Sequence, residues 1–145
     1  MDLNHFRNFL KSFNIKDEII NEYLNGKKIF EKYKDIYLVE KGFNGKKVFD
    51  SSLIFLDLKE QVPSKYLLDF IKKNSYSLRL NSRAVALKFL YSKNLDLNVN
   101  WSVKFNENCR YLVEFEGESI GYIKFENNNL INEFNLFKYL QENKI

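Results

Sequence analysis

The sequence has one cysteine and one histidine among its 145 residues, and this scarcity limits the chemistry that the chain can carry. Cys109 cannot form a disulfide within the chain, and Cys109 and His5 together cannot complete the Cys/His set of a structural zinc site. We therefore expect a protein of a reducing compartment, the cytoplasm, that needs no metal or other cofactor. No apolar run approaches the roughly 20 residues of a membrane span, so we expect no membrane partner.

Glycine is also sparse, and the five glycines never fall at the spacing of a phosphate-binding loop or a dinucleotide fingerprint. His5 has no carboxylate or cysteine partner at a fixed spacing, and a lone histidine near a terminus is more often a surface residue than a general base. Cys109 precedes Arg110, an arrangement that can activate a thiol, but a small thiol at the head of a strand is more often buried. We therefore predict no catalytic residue and a protein that is not an enzyme.

Aromatic residues, by contrast, are abundant and make up 17% of the chain, with 14 phenylalanines and 9 tyrosines. They supply far more buriable surface than a disordered chain has, so the protein should fold. A chain of this length buries roughly two-thirds of its unfolded surface, which is enough for one domain or two very small ones. The pattern changes at residue 74, and we place the boundary between two lobes there, at 1–74 and 75–145.

The N-terminal lobe, residues 1–74, has the pattern of a small α/β unit. Two helices are predicted first, because apolar residues recur at three- and four-residue steps over residues 3–13 and again from Asp17 to the stop at Gly26. Strand-like runs at residues 28–33 and 36–39 then predict a small antiparallel sheet. Residues 51–58 fit either a buried strand or a short helix, and we favour the helix. A clearer helix begins at Pro63-Ser64.

The C-terminal lobe, residues 75–145, starts with a strand at 76–80 and a helix capped by Asn81-Ser82. Alternating segments then predict a meander of antiparallel strands, at 99–105, 110–115 and 119–125, with a last strand at 130–134 and a closing helical turn at 136–141. A strand, a helix and a meander of short strands describe a small, partly open β-barrel with one flanking helix. The predicted fold class is therefore α+β.

Charge is distributed unevenly along the sequence. The segment from Lys65 to Lys93 carries seven lysines and arginines against one acid, Asp69, whereas the formal net charge of the whole chain is only +4. The segment from Glu107 to Glu126 is acidic, and three of its glutamates alternate as on a solvated strand face: Glu114, Glu116 and Glu118. A basic side of this kind suits a phosphate backbone, because each neutralised phosphate releases condensed counterions.

Tyrosines are interleaved with the cations of the basic segment, at Tyr66, Tyr76 and Tyr91. Stacking on unpaired bases requires such a combination of aromatic rings and positive charge. The same residues have a structural explanation, in which the cations solvate helix faces and the tyrosines pack into the core. The residues alone leave these two explanations open.

Two segments resemble a PUA-type RNA-binding domain: SLRLNSRAVALKFLY at residues 77–91 and RYLVEFEGESIGYIK at residues 110–124. In that family a strand leads into a helix with small residues, and a later strand runs through an acidic residue and glycine to an apolar-Gly step, which matches EGESIG at 116–121. KFENNNLIN at 124–132 is similar to the C-terminal PUA-like module of Fmu-type rRNA cytosine methyltransferases. An α/β lobe before such a module resembles the pre-PUA/PUA proteins of ribosome biogenesis.

The resemblance implies a non-enzymatic RNA-binding protein that recognises structured rRNA or tRNA, in ribosome biogenesis or RNA modification. An RNA-modifying enzyme or a ribosome-assembly factor would then be a further partner. Four cations would hold phosphates and two lysines would extend the patch: Arg79, Arg83, Lys88 and Lys93, with Lys72 and Lys73. Tyr91 and Trp101 are candidates for base stacking, each with burial in the core as its alternative.

A function of another class is also compatible with the sequence. A surface rich in tyrosine and phenylalanine would suit a non-catalytic adaptor that docks onto a protein partner. The position of the exposed residues separates the two functions. One contiguous basic groove favours RNA, whereas an apolar patch remote from Arg79 and Arg83 favours a protein.

Overall fold

The structure, a computed structural model, describes residues 1–57 and 59–138 and has a mixed α+β fold, which confirms the predicted class. The chain divides into two compact units. The first consists of Met1–Lys11 and Ile15–Asn74, and the second of Ser12–Asn14 and the residues from Ser75 onward. The boundary at residue 74 thus assigns Ser12–Asn14 to the N-terminal lobe, whereas in the structure they belong to the second unit.

The first unit contains three α-helices and one four-stranded antiparallel sheet with the strand order β1-β2-β3-β4. Its elements in chain order are α1 (Leu3–Lys11), α2 (Asp17–Leu24), β1 (Lys27–Lys32), β2 (Asp35–Glu40), β3 (Leu53–Leu56), β4 (Val62–Pro63) and α3 (Lys65–Asn74). The spacing of the apolar residues explains the helices, since α1 buries Phe6 and Leu10. Phe6 meets Phe55 of β3 edge-on, with 6.0 Å between the ring centroids.

The helix predicted at residues 51–58 is wrong. A single 3₁₀ turn, Asp50–Ser52, leads into strand β3 instead. Ile54 and Phe55 are consecutive and both buried, which a strand with packed elements on its two faces allows. Periodicity cannot separate the two alternatives in so short an apolar run, because the run is apolar on every face.

Within its described residues, the second unit contains the complete α-helix α4 and one four-stranded sheet with the order β5-β6-β7-β8. Its elements are β5 (Ser77–Leu80), α4 (Arg83–Leu90), β6 (Arg110–Phe115), β7 (Glu118–Glu126) and β8 (Asn129–Asn135). The strands β6, β7 and β8 pair antiparallel, as predicted, but β5 pairs with β6 in parallel. The chain returns from β5 to β6 through α4 and a long loop, and such a crossover is what a parallel pair requires.

The strand predicted at residues 99–105 is wrong, since residues 91–109 contain no strand and only one isolated bridge, from Leu95 to Leu130. The strand β6 already has β5 on one side and β7 on the other, which leaves no edge there for a further strand. The alternating apolar residues instead fix the loop to the core of the unit, through half-buried Trp101, Val103 and Phe105.

The two sheets of the described chain are not closed into barrels. In the second unit α4 packs against the sheet through Ala86 and Phe89, over a core that includes Leu78 and Val113. Residues 136–138 are helical, and the remainder of the helical turn predicted at 136–141 lies outside the described residues. Within the described part of the chain, no helix combines the length and apolar character needed to cross a membrane.

Candidate nucleic-acid interface

The cations of the basic segment are presented by the β5–α4 connection of the second unit. In β5, Leu78 and Leu80 are buried and Arg79 between them is exposed, as the alternation of a strand requires. The next element begins at its N-cap Ser82, whose Oγ accepts a hydrogen bond from the backbone N–H of Val85 at 3.3 Å. The chain passes from β5 to α4 within two residues. Arg79 therefore lies on the strand, and Arg83 and Lys88 lie on the helix that follows it.

A hollow of about 450 Å³ lies beside this connection. It is lined by Arg79 and Lys88, by the indole of Trp101, and by Val85 and Val99. Both valines are unusually exposed, at 40% and 52%. We call these five residues the α4 groove. Three residues selected from sequence are therefore brought together in one concave site that offers positive charge and an apolar wall.

A second hollow, of about 690 Å³, shares Arg79 with the α4 groove and adds Arg83. Two carboxylates, those of Glu114 and Glu116, also line this hollow. Arg79 therefore stands between the two hollows, with an arginine and acidic side chains on one side and the aromatic groove on the other.

Glu114 is buried, which corrects the expectation that Glu114, Glu116 and Glu118 form one solvated face. Its side chain is 9% exposed, and its Oε1 lies 3.1 Å from Nε of Arg79, whose side chain is 80% exposed. A buried carboxylate is costly unless it is paired with a positive charge. Arg79 supplies that charge, so it has a structural role as well as the predicted role in binding phosphate.

The two aromatic candidates differ in their surroundings. Trp101 is half-buried, its Nε1 donates a hydrogen bond to the carbonyl of Asp96 at 2.9 Å, and its ring packs edge-on against Phe105. Tyr91 is 69% exposed and its ring meets Phe137 edge-on, with 5.3 Å between the centroids. Trp101 thus lines the α4 groove while it also packs on the core, and Tyr91 lies on the surface just after α4.

Lys93 lies in the turn that follows α4, and Asn132 of β8 holds this turn. The Asn132 Nδ2 donates hydrogen bonds to the carbonyls of Phe89, at 2.6 Å, and of Lys93, at 3.0 Å. The backbone N–H of Asn132 donates to Oδ1 of Asn94 at 2.8 Å. The side chain of Lys93 remains exposed, but Lys93 and Tyr91 line neither hollow.

Lys72 and Lys73, which were predicted to extend the basic patch, belong to the first unit. They lie in the last turn of α3, where positive charge stabilises the carboxyl end of a helix. They are not among the residues that line the two hollows of the second unit.

The residues considered for catalysis lie in ordinary surroundings. His5 is exposed on α1, and its backbone N–H donates to the carboxylate of Asp2 at 2.7 Å. Cys109 is half-buried and its Sγ lies 3.7 Å from Oδ1 of Asn14. Across residues 1–57 and 59–138, no three or more His, Cys, Asp or Glu side chains form a group that could hold a metal ion.

The first unit has a hollow of its own, of about 380 Å³, which the sequence analysis missed. Lys27, Lys47, Phe43 and Phe49 are among the residues that line it. Phe49 is 69% exposed, whereas Phe43 packs edge-on against Phe30 with 4.9 Å between the centroids. The sequence signal is the run KGFNGKKVF at residues 41–49, in which lysines lie close to two phenylalanines.

The two glycines of the EGESIG segment at residues 116–121 both have structural causes within the sheet. Gly117 has a φ of +81° in the turn between β6 and β7. Gly121 has a φ of +154°, and a Cβ there would lie 2.1 Å from the carbonyl oxygen of Phe134 and 2.8 Å from the ring of Phe89. Close packing of β7 against β8 and α4 therefore accounts for Gly121 without a ligand.

Comparison of the chain with protein families, with curated proteins and with solved structures gives no match.

Proposed function

We propose that the protein binds RNA through the β5–α4 side of its second unit. The observation that carries this proposal is the α4 groove, which brings Arg79, Lys88 and Trp101 together, with Arg83 in the adjacent hollow. Positive charge beside an aromatic ring is the combination that holds a sugar-phosphate backbone and its bases.

The cations contribute in different ways to binding. Among the described residues, Arg83, Lys88 and Lys93 form no ion pair with an acid, so their charges face solvent and are available to phosphates. A bound phosphate displaces condensed counterions, which makes the affinity fall as salt rises. Arg79 takes part while it remains paired with Glu114. Trp101 and the two valines of the α4 groove offer an apolar surface to an unpaired base.

The resemblance to PUA domains supports a more specific form of the proposal. A PUA-type module would act as a partly open barrel and would recognise structured rRNA or tRNA, alongside an RNA-modifying enzyme or a ribosome-assembly factor. The strand–helix segment that carries the likeness, residues 77–91, is also the segment that supplies Arg79, Arg83 and Lys88. In this form of the proposal the protein has no catalytic step of its own.

The test is the affinity for a fluorescently labelled tRNA transcript, measured at one fixed low salt concentration. The double variant Arg83→Ala/Lys88→Ala is expected to bind about tenfold or more weakly, because it removes two phosphate contacts. The control Lys59→Ala/Lys104→Ala removes the same charge at exposed positions outside both hollows. Equal affinity of the two double variants would reject the proposal. Arg79→Ala is unsuitable, because it leaves Glu114 buried without its countercharge.

One observation favours the second candidate function, a protein-interaction adaptor. The hollow of the first unit exposes Phe49 and offers lysines beside it, on a different unit from Arg79 and Arg83. The adaptor function predicts that Phe49→Ser removes a protein crosslink that Arg83→Ala/Lys88→Ala leaves intact. The RNA function predicts that Phe49→Ser leaves the affinity for tRNA unchanged.

A further inference from the structure

Arg79 and Glu114 are fixed opposite each other by the fold. They are direct partners in the parallel register of β5 and β6, so their side chains leave the sheet on the same face. Glu114 is almost fully enclosed, and the contact is made by Nε, the inner nitrogen of the guanidinium, at 3.1 Å. The arginine side chain nevertheless remains 80% exposed.

We propose that Glu114 is a positioning residue, which holds the guanidinium by Nε so that its two terminal nitrogens present a preformed fork to one phosphate of the RNA. This inference rests on the proposed function and deepens it. A guanidinium has five N–H donors in one rigid plane. When Nε is engaged by the carboxylate, the Nη pair remains at the outer end, where it matches the two non-bridging oxygens of a phosphodiester.

Positioning matters because an exposed arginine otherwise samples many rotamers. Immobilising such a side chain on binding costs about 0.5–1.5 kcal/mol, which corresponds to about two- to tenfold in affinity. The backbone of Arg79 is fixed in β5 and its Nε is paired with Glu114, so part of this ordering is already present before RNA binds.

Removal of the Glu114 carboxylate is predicted to change the affinity for RNA in an unexpected direction. An acid next to an RNA-binding surface normally repels the phosphates, so its removal should strengthen binding. If Glu114 positions Arg79 through this ion pair, removal of its charge should instead weaken binding. Glu114→Leu and Glu114→Gln both remove the charge that holds the guanidinium, and Glu114→Gln keeps a polar side chain of nearly the same size.

The experiment measures the affinity of the full chain for the labelled tRNA transcript over a series of KCl concentrations. We expect Glu114→Leu and Glu114→Gln both to bind about three- to tenfold more weakly than wild type, because each lacks the charge that holds Arg79. The slope of log K against log[KCl] should stay unchanged in both variants, because the number of phosphate contacts is unchanged. Thermal unfolding of each variant checks that it is folded.

Arg79→Lys tests the same inference from the other partner. It keeps a positive charge for Glu114 and for the phosphate but lacks the planar fork, so it should bind about as weakly as Glu114→Leu. Equal strengthening by Glu114→Leu and Glu114→Gln, or wild-type affinity of Arg79→Lys, would overturn the positioning role. These results differ from failure of the proposed function, in which wild type itself shows no salt-dependent affinity for the RNA.

Discussion

At the residue scale, close packing against β8 and Phe89 explains why position 121 is a glycine, and the EGESIG sequence alone does not show this. Gly121→Ala should lower the free energy of unfolding by about 3 kcal/mol, because the new Cβ would overlap the backbone of β8 and the ring of Phe89. Urea unfolding monitored by circular dichroism measures the change.

Gly42 provides the matched control for this substitution. No atom lies within 4 Å of the position that a Cβ would take there. Gly42→Ala should therefore change the free energy of unfolding by less than about 0.5 kcal/mol. A loss of similar size in both variants would show that Gly121 has no special steric constraint.

Tyr23 gives the first unit a pH-dependent stability. Its ring stacks on Phe70 with 3.9 Å between the centroids, and burial raises the pKa of its phenol from 10.0 to about 12. Because the folded state favours the neutral phenol, this contribution is fully present below pH 10 and is lost as the pH rises through about 12. Between pH 9 and pH 12, wild type should lose more stability than Tyr23→Phe. Parallel curves for the two proteins would contradict the burial of this phenol.

The burial of Glu114 marks the limit of what could be predicted for single residues. The alternation of Glu114, Glu116 and Glu118 indicated a solvated face, and it holds for Glu116 and Glu118, which are exposed. Glu114 departs from it because its partner, Arg79, comes from a strand 35 positions earlier through a parallel register. The residue pattern of one strand cannot show that a neighbouring strand supplies a countercharge.

At the scale of elements, α4 is held at both ends by side chains that lie outside the helix. Ser82 caps its first turn, and Asn132 donates to the carbonyls of Phe89 and Lys93 at its end. Such bonds satisfy backbone groups that a helix leaves free at its termini. The position of the α4 groove depends on both contacts, because Val85 and Lys88 lie between them.

Asn132→Ala should lower the free energy of unfolding by about 2 kcal/mol, since it removes the side-chain hydrogen bonds to two carbonyls near the end of α4. Asn129→Ala is the control, because the Asn129 Nδ2 makes one exposed bond, to the carbonyl of Asn127. Thermal unfolding should separate the two variants clearly. The account of the α4 end is wrong if Asn132→Ala unfolds at the wild-type temperature.

Most helices and strands follow from the sequence because each has a distinct apolar period. The spacing in α1 and α3 and the alternation in β6, β7 and β8 correctly predicted elements within one or two residues of their ends. Residues 99–105 alternate as well, but they form a loop, because an apolar side chain can fix a loop to the core as well as it can a strand. The pairing of strands, and hence the absence of a closed barrel, depends on contacts that alternation does not encode.

At the scale of the whole molecule, the basic segment from Lys65 to Lys93 is divided between the two units. Its first part forms the whole of α3 in the first unit, and the remainder contains β5, α4 and the turn after α4 in the second. The net charge of the segment is therefore shared between two units. The α4 groove lies on the second, so the proposal depends on the cations that follow residue 74.

The dependence of RNA affinity on salt tests the central claim most directly. Each phosphate that a cation neutralises adds about 0.7–0.9 to the magnitude of the slope of log K against log[KCl]. We predict that Arg83→Ala/Lys88→Ala lowers this magnitude by about 1.4–1.8 relative to wild type, and that Lys59→Ala/Lys104→Ala leaves it unchanged. The same slope for wild type and Arg83→Ala/Lys88→Ala would show that the α4 side does not bind the RNA backbone.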